Sequence, residues 1–367
     1  MDKVKIRWCS FLNSSGYGFS AQNYILALHN SNKYDIKLDI FGGTPARPAV
    51  SDKAYEIFSK MINKNNENDK DAIQIFHCIP TIQRRVKRLR KTIGMATYET
   101  FLPPSRWIEI LNENDAIITP SLFNYKIFAH ARIKKPIFYL PHCIDMELYN
   151  ENVKPLKKYN KFTFLFLGAW RERKGYPQLL EAWLKEFTEK DNVQLLIKTD
   201  KHRKAEDYFE KIKKQTGITK GFAPVLFENK VFDEFELPKF IKSVDCLIAN
   251  HMGEGFCIPG LQCMALKIPV LITNFSGSKD YANEKTATLL EPEGFVLYND
   301  MDTIPQFKNK KWAFLSIKQI REKMRYTFKH YDTLKEKTDY AYDYVRENFN
   351  YNKIENLFGE MIETLYG

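Results

Sequence analysis

Nowhere does the 367-residue chain hold the run of about 18 apolar residues that a membrane span needs, so no segment is expected to cross a bilayer; residues 162–170 are among its longest uncharged apolar stretches. It also lacks the apolar core of a secretory signal. Asp2, Lys3, Lys5 and Arg7 alternate with Val4, Ile6 and Trp8, the period of a strand, and the expected location is cytoplasmic. Cysteine is scarce and scattered: Cys9, Cys78, Cys143, Cys246, Cys257 and Cys263 stand mostly beside apolar residues, and no pair has a metal-site spacing. That excludes the disulfide framework of a small secreted domain and predicts buried, reduced thiols. Repeats are missing, and low complexity is confined to an Asn/Lys/Asp-rich stretch over 63–71, read as surface loop.

Acid is in deficit too: 45 Asp and Glu against 56 Lys and Arg leave a net charge of +11. With 44% hydrophobic and 28% charged residues the composition is globular, which excludes a disordered or fibrous chain. The length predicts two domains. More than half of the excess charge lies over 84–91, where Arg84, Arg85, Lys87, Arg88, Arg90 and Lys91 have no acid among them. Ile82, Val86, Leu89 and Ile93 have helical spacing, so the run reads as an amphipathic helix with a cationic outer face. A solvated face is the favoured use, with a peripheral membrane or nucleic-acid patch as the competitor.

Short apolar runs alternate with helical patterns at 4–9, 36–41, 73–76, 93–98, 116–119 and 137–140, the mark of an α/β domain with a largely parallel sheet. A polar stretch over 151–160 reads as a linker. A second series follows at 162–167, 193–197, 225–227, 246–249, 270–273 and 288–290. From Ser316 onward the pattern is helical, and Asn352 and Glu355 have the spacing of a capping box.

Ligands of open parallel sheets bind at the carboxyl ends of strands, which directs attention to four loops. The first, over 14–20, carries Gly16 and Gly18 at a helix start, where amides suit a phosphate. Read with Ala21 and with Asp39 about twenty residues on, it also fits a dinucleotide fingerprint; a plain tight turn would use the same glycines. The second, over 168–175, places Arg171, Arg173 and Lys174 together, either to hold a diphosphate or as an exposed basic turn. The third, over 250–259, puts Glu254 and Gly255 before a helix expected over 260–266, as part of a pocket or as a cap. The fourth, over 274–280, follows the next strand and flanks the same helix.

The segment GEGFCIPGLQCMALKIPV over 253–270, followed by TNFSG, resembles the donor-binding signature of the GT-B glycosyltransferases of family 4 (glycosyl transferases group 1). FLGAWRERKGYPQLLEAW (166–183), YETFLPPSRW (98–107), NENDAIITPSLFN (112–124) and LPHCID (140–145) support it in the family's order. The resemblance implies two Rossmann-like domains facing across a cleft: 1–155 on the acceptor side, 156–345 binding a nucleotide-sugar, and a helix over 346–367 crossing back to the first. It implies a sugar moved from a nucleoside-diphosphate donor to an acceptor hydroxyl with retention of configuration. In its Glu-x7-Glu motif the first position, Glu254, contacts the donor sugar, and the second, which binds ribose, is here Gln262. A Gln amide can bond a hydroxyl without charge assistance. The family's Arg after the strand-ending glycine is replaced by Ala169, so Arg171 or Arg173 takes the diphosphate with Lys174.

Departure of a nucleoside diphosphate builds negative charge that must be stabilised. Lys174, the neighbouring arginines and the amides near Gly255, Phe256 and Cys257 can do this without metal, so no metal or other cofactor is expected. Asp69-Lys70-Asp71 and Asp300-Met301-Asp302 have the D-x-D form of metal-dependent transferases but read as solvated loop acids. His77, just past the strand at 73–76, could orient the sugar or share the acceptor proton, or could simply bond the backbone. Tyr98 and Glu99 are acceptor-side candidates, with anchoring of the loop at 100–105 as the other use for Glu99. The expected partners are a nucleotide-sugar donor and a glycan or lipid-linked acceptor, not nucleic acid. An NAD-dependent oxidoreductase built on 16–21, or an anionic-surface binder built on 84–91, would leave the second domain's loops without a purpose.

Overall fold

The computed structural model describes residues 3–42, 50–62 and 70–367. The chain divides into two units, the first comprising the residues up to Met146 with Phe232–Phe235 and Glu347–Gly367, the second Glu147–Val231 and Glu236–Arg346. In the first, β1 (Val4–Ser10), β2 (Tyr34–Ile40), β3 (Ile73–His77), β4 (Lys91–Met95), β5 (Ala116–Thr119) and β6 (Ile137–Tyr139) form one sheet in the order β2-β1-β3-β4-β5-β6. In the second, β7 (Phe162–Leu167), β8 (Val193–Lys198), β9 (Val225–Glu228), β10 (Cys246–Ala249), β11 (Val270–Thr273) and β12 (Thr288–Leu290) are ordered β12-β11-β10-β7-β8-β9. Every pairing in both sheets is parallel.

Central strands of such sheets are covered on both faces, which is why β3, β5 and β11 are continuous buried runs and could be read as strands from composition. In the first unit Trp8, Tyr24, Phe58 and Ile75 make a core that the chain's last helix, Tyr351–Tyr366, completes with Ile354, Phe358 and Met361. Glu355 on that helix accepts from the Tyr34 hydroxyl at 3.1 Å and from Lys33 Nζ at 3.0 Å. The helix is capped by Asn350, whose side chain accepts from the Lys353 amide, so the capping box expected from Asn352 and Glu355 is not formed. In the second unit Phe164, Trp183, Phe187 and Leu195 form the core, and Trp183 Nε1 donates to Ala223 O at 3.0 Å. All six cysteines are buried and free.

The basic run is not a helix. Helical structure stops after Pro80–Gln83, and residues 84–90 run without regular structure into β4. Bonds to distant residues take over: the Leu89 amide donates to Gln74 Oε1 at 2.9 Å, and Gln74 Nε2 donates to Lys87 O at 3.1 Å. Arg88 is half-buried and donates to Thr92 Oγ1, Glu113 O and Asn114 Oδ1, while Arg84 pairs with Glu113. Burial, partly offset by Glu113 and Asp115, lowers the pKa of the Arg88 guanidinium. Arg85, Lys87 and Arg90 stay exposed, at the amino ends of β3 and β4 and so at the opposite edge of the sheet from its strand-exit loops. Of the acidic tripeptides, Asp69 lies outside the described residues. The stretch 151–160 belongs to the second unit, where the Leu156 amide donates to Lys239 O at 2.9 Å. No helix of the described residues is long and apolar enough to cross a membrane.

Candidate active site

Strand order dictates where a ligand can enter each sheet. In the second unit the chain builds outward from β7 through β8 and β9, then returns to build the other way from β10 through β11 and β12. The loops leaving β7 and β10 therefore diverge and leave a crevice at the carboxyl ends of two adjacent strands. Residues 168–175 and 250–257 are those loops.

The two loops are pinned together. Gly175 closes the turn Glu172–Lys174 with a φ of 81°, and a Cβ there would lie 2.1 Å from Asn250 O. Asn250 Nδ2 donates to Gly175 O at 2.7 Å, and the Met252 amide to Arg173 O at 2.7 Å. Arg173 Nη1 then lies 2.6 Å from Glu254 Oε1, and Lys174 Nζ 2.7 Å from the same oxygen. Burial works against the Glu254 charge, but Arg173, Lys174 and His251 outweigh it and hold the carboxyl at about 2, against an ordinary 4.5.

Two cations thus converge on one carboxylate oxygen in a buried crevice. Beside it the helix Ile258–Ala265 begins, two residues earlier than expected, after Gly255, Phe256 and Cys257. Cys257 takes the left-handed conformation at its N-cap, and its carbonyl accepts from the Tyr281 hydroxyl and from the Gly260 amide. Cationic side chains and the amides leading into a helix together suit a phosphate. Gln262 is buried on this helix and donates its amide N–H to the Tyr149 hydroxyl at 2.8 Å. Arg171 is half-exposed on the first loop, its amide bonded to Ala169 O at 2.8 Å.

Four residues have parts here that the sequence reading did not assign to them. Asp302 is not a solvated loop acid: its side chain is 2% exposed, it accepts from the Glu172 amide, and its Oδ2 lies 3.9 Å from Arg173 Nε. Burial raises its pKa, and Arg173 pulls the other way. It arrives from the turn joining β13 (Gly294–Asp300) and β14 (Lys308–Phe314), an antiparallel hairpin, and so braces the basic loop from about 130 residues away. Ser276 and Gly277 hold the peptide of Glu254, the Ser276 Oγ accepting from Glu254 N at 2.9 Å and Gly277 N donating to Glu254 O at 3.0 Å. His251, three residues before Glu254, is buried among these charges.

The remaining candidates lie in the first unit. His77 is the last residue of β3, 1% exposed, beside the rings of Trp8, Tyr17 and Tyr24, with Nε2 3.2 Å from Ser20 Oγ. Burial and then His142 push its pKa well below the ordinary value, so the ring is neutral at neutral pH. β1 and β3 are that sheet's diverging strands, which puts His77 at its crevice. Gly16 and Gly18 open the helix Gly16–Asn30, where Ser15 Oγ caps the Gly18 amide at 3.1 Å. Asp39, the acid of the dinucleotide reading, is bonded to Arg7. Tyr98 is fully buried against Trp107, and Glu99 is half-exposed on the loop that follows. No group of three or more His, Cys, Asp or Glu among the described residues is placed to hold a metal ion.

The ion pairs give Glu254 a pH signature. Its carboxylate contributes to folding stability fully above the unfolded value near 4.5, and that share is lost as pH falls toward about 2. Glu254→Gln should therefore show a flatter decline of urea midpoint between pH 4.5 and 2 than wild type. Parallel declines would mean that the pairs contribute nothing.

Comparison with known proteins agrees with this geometry. Residues 150–327 match the family model for glycosyl transferases group 1. Uncharacterized protein 356 of Sulfolobus islandicus rod-shaped virus 1 is 23% identical over 293 residues, 75% of this chain and 77% of that protein. The serotype-specific mannosyltransferase WbdA of Escherichia coli is 26% identical over 122 residues, 33% of this chain but only 14% of that enzyme. The crystal structure of Anabaena HepE in complex with UDP and glucose superposes with a TM-score of 0.68 at 10% identity, over 98% of this chain and 100% of that one, a likeness of fold. The second unit thus carries a glycosyl transferases group 1 domain over residues 150–327, and the two parallel sheets have the GT-B fold.

Proposed function

We propose that the protein transfers a sugar from a nucleoside-diphosphate-sugar to an acceptor hydroxyl, with retention and without a metal ion. The observation that carries this is the Arg173–Lys174–Glu254 cluster at the strand-exit crevice of the second unit. In the reaction the bond from the anomeric carbon to the β-phosphate oxygen breaks. The acceptor oxygen bonds that carbon, and its proton goes to the departing phosphate. Negative charge grows on the diphosphate, and Lys174 and Arg173 with the amides of Gly255, Phe256 and Cys257 oppose it in a site sheltered from water. Glu254 is left to hold the sugar, and Gln262 to take the place of the ribose-binding carboxylate. HepE was crystallised with UDP and glucose and WbdA is a mannosyltransferase, which supports a hexose donor. The acceptor we propose is a glycan or lipid-linked hydroxyl.

A thermal-shift panel of UDP, GDP, dTDP, ADP and NAD tests the reading. One nucleoside diphosphate should raise the melting temperature, and at about 100 times its Kd the gain is roughly 2.7 kcal/mol. A response to NAD alone would sink the proposal. Donor turnover, followed by mass, should survive EDTA; its abolition would refute the metal-free part.

A further inference from the structure

His251 is 1% exposed, and neither its Nδ1 nor its Nε2 has a hydrogen-bond partner among the described residues. The Oδ1 of its neighbour Asn250 is buried and equally unpartnered. Burying polar atoms without partners costs stability, and a fold keeps them where something else supplies the bond. The ring stands two residues beyond β10, at the crevice just described, within the field of Glu254, Lys174 and Arg173. Burial, opposed by Glu254 and helped by Lys174 and Arg173, holds its pKa at about 4, so it carries no charge at neutral pH.

A neutral imidazole has one donating and one accepting nitrogen. The donating nitrogen can serve any ligand oxygen. The accepting nitrogen needs a donor, which the ionised phosphates of a nucleotide-sugar do not offer and its ribose and sugar hydroxyls, or an N–H of its base, do. We infer that His251 is a specificity-determining residue of the donor site, its accepting nitrogen reading a hydroxyl of the bound nucleotide-sugar. This rests on the donor reading proposed above. It adds a directional bond where Arg173 and Lys174 supply charge.

The experiment measures binding of UDP, UDP-glucose, GDP and GDP-mannose by calorimetry, and ligand-free melting, for wild type, His251→Phe and His251→Gln. The expected result is a loss of about 10-fold or more in affinity for the nucleotide-sugar in the Phe variant, with ligand-free melting unchanged or raised because two orphaned atoms are gone. His251→Gln, which keeps a donor and an acceptor, should recover part of the affinity. An equal loss for UDP and GDP assigns the ribose hydroxyl, a loss confined to the sugar conjugates assigns the sugar, and a loss for one base only points to a base N–H and overturns the hydroxyl reading. A Phe variant that binds as wild type does, or that only melts lower, overturns the inference. Wild type that binds none of the four removes the donor reading, and the inference with it.

Discussion

Lys174→Ala is expected to lower turnover by roughly 10²–10³, the cost of removing one preorganised group aimed at charge that develops in the transition state. The side chain is held for that task. It lies across Gly168, where an added Cβ would be 3.5 Å from its Cε, and its Nζ is fixed at 2.7 Å from Glu254. With Lys174 gone, Arg173 alone faces Glu254 and Asp302, and the crevice loses one of its two cations. Steady-state kinetics decide which state the cation serves. Equal falls in kcat and kcat/KM place its action in the transition state, whereas a rise in KM alone would make it a ground-state anchor for the diphosphate. Lys174→Arg should restore part of the rate by keeping the charge, but not all of it, because a planar fork replaces a point charge. Wild-type turnover in Lys174→Ala would remove the role.

How much of this could be read beforehand depends on whether each contact is local. The strands were legible because buried parallel strands are apolar runs in their own right, and the loops that matter follow from strand ends. The run over 84–91 misled for the same reason in reverse. Ile82, Val86, Leu89 and Ile93 share a helical period only by accident, since Ile93 belongs to β4 and Leu89 is fixed by Gln74 of β3. Asp302 could not be found because its partners lie about 130 residues away. His251 left a signal, an imidazole between a strand end and the Glu254 motif, but it has meaning only once burial without partners is seen. The β13–β14 hairpin was not read as strands, having no two-residue turn between its arms.

The glycine of TNFSG yields the other large effect. Gly277→Ala should cost on the order of 10²-fold in kcat/KM while the protein still unfolds cooperatively. A Cβ at 277 would lie 1.9 Å from Gly255 O, 2.3 Å from Gly255 C and 2.7 Å from Phe256 N. All three are backbone atoms, so no rotamer change can relieve the clash, and the loop over 253–257 must move. That loop carries the Glu254 carboxylate and the amides proposed to face the diphosphate. A displacement of about 1 Å in such groups is enough to cost 10²-fold. The Gly277 N–H to Glu254 O bond stretches in the same movement, and overpacking of this kind costs about 1–3 kcal/mol, read as a lower urea midpoint with an unchanged slope. Full activity at wild-type stability would show that the two loops can separate without harm to the site. Loss of activity with an intact midpoint would instead show that the movement is absorbed within the crevice, where the position of Glu254 relative to Arg173 and Lys174 is set.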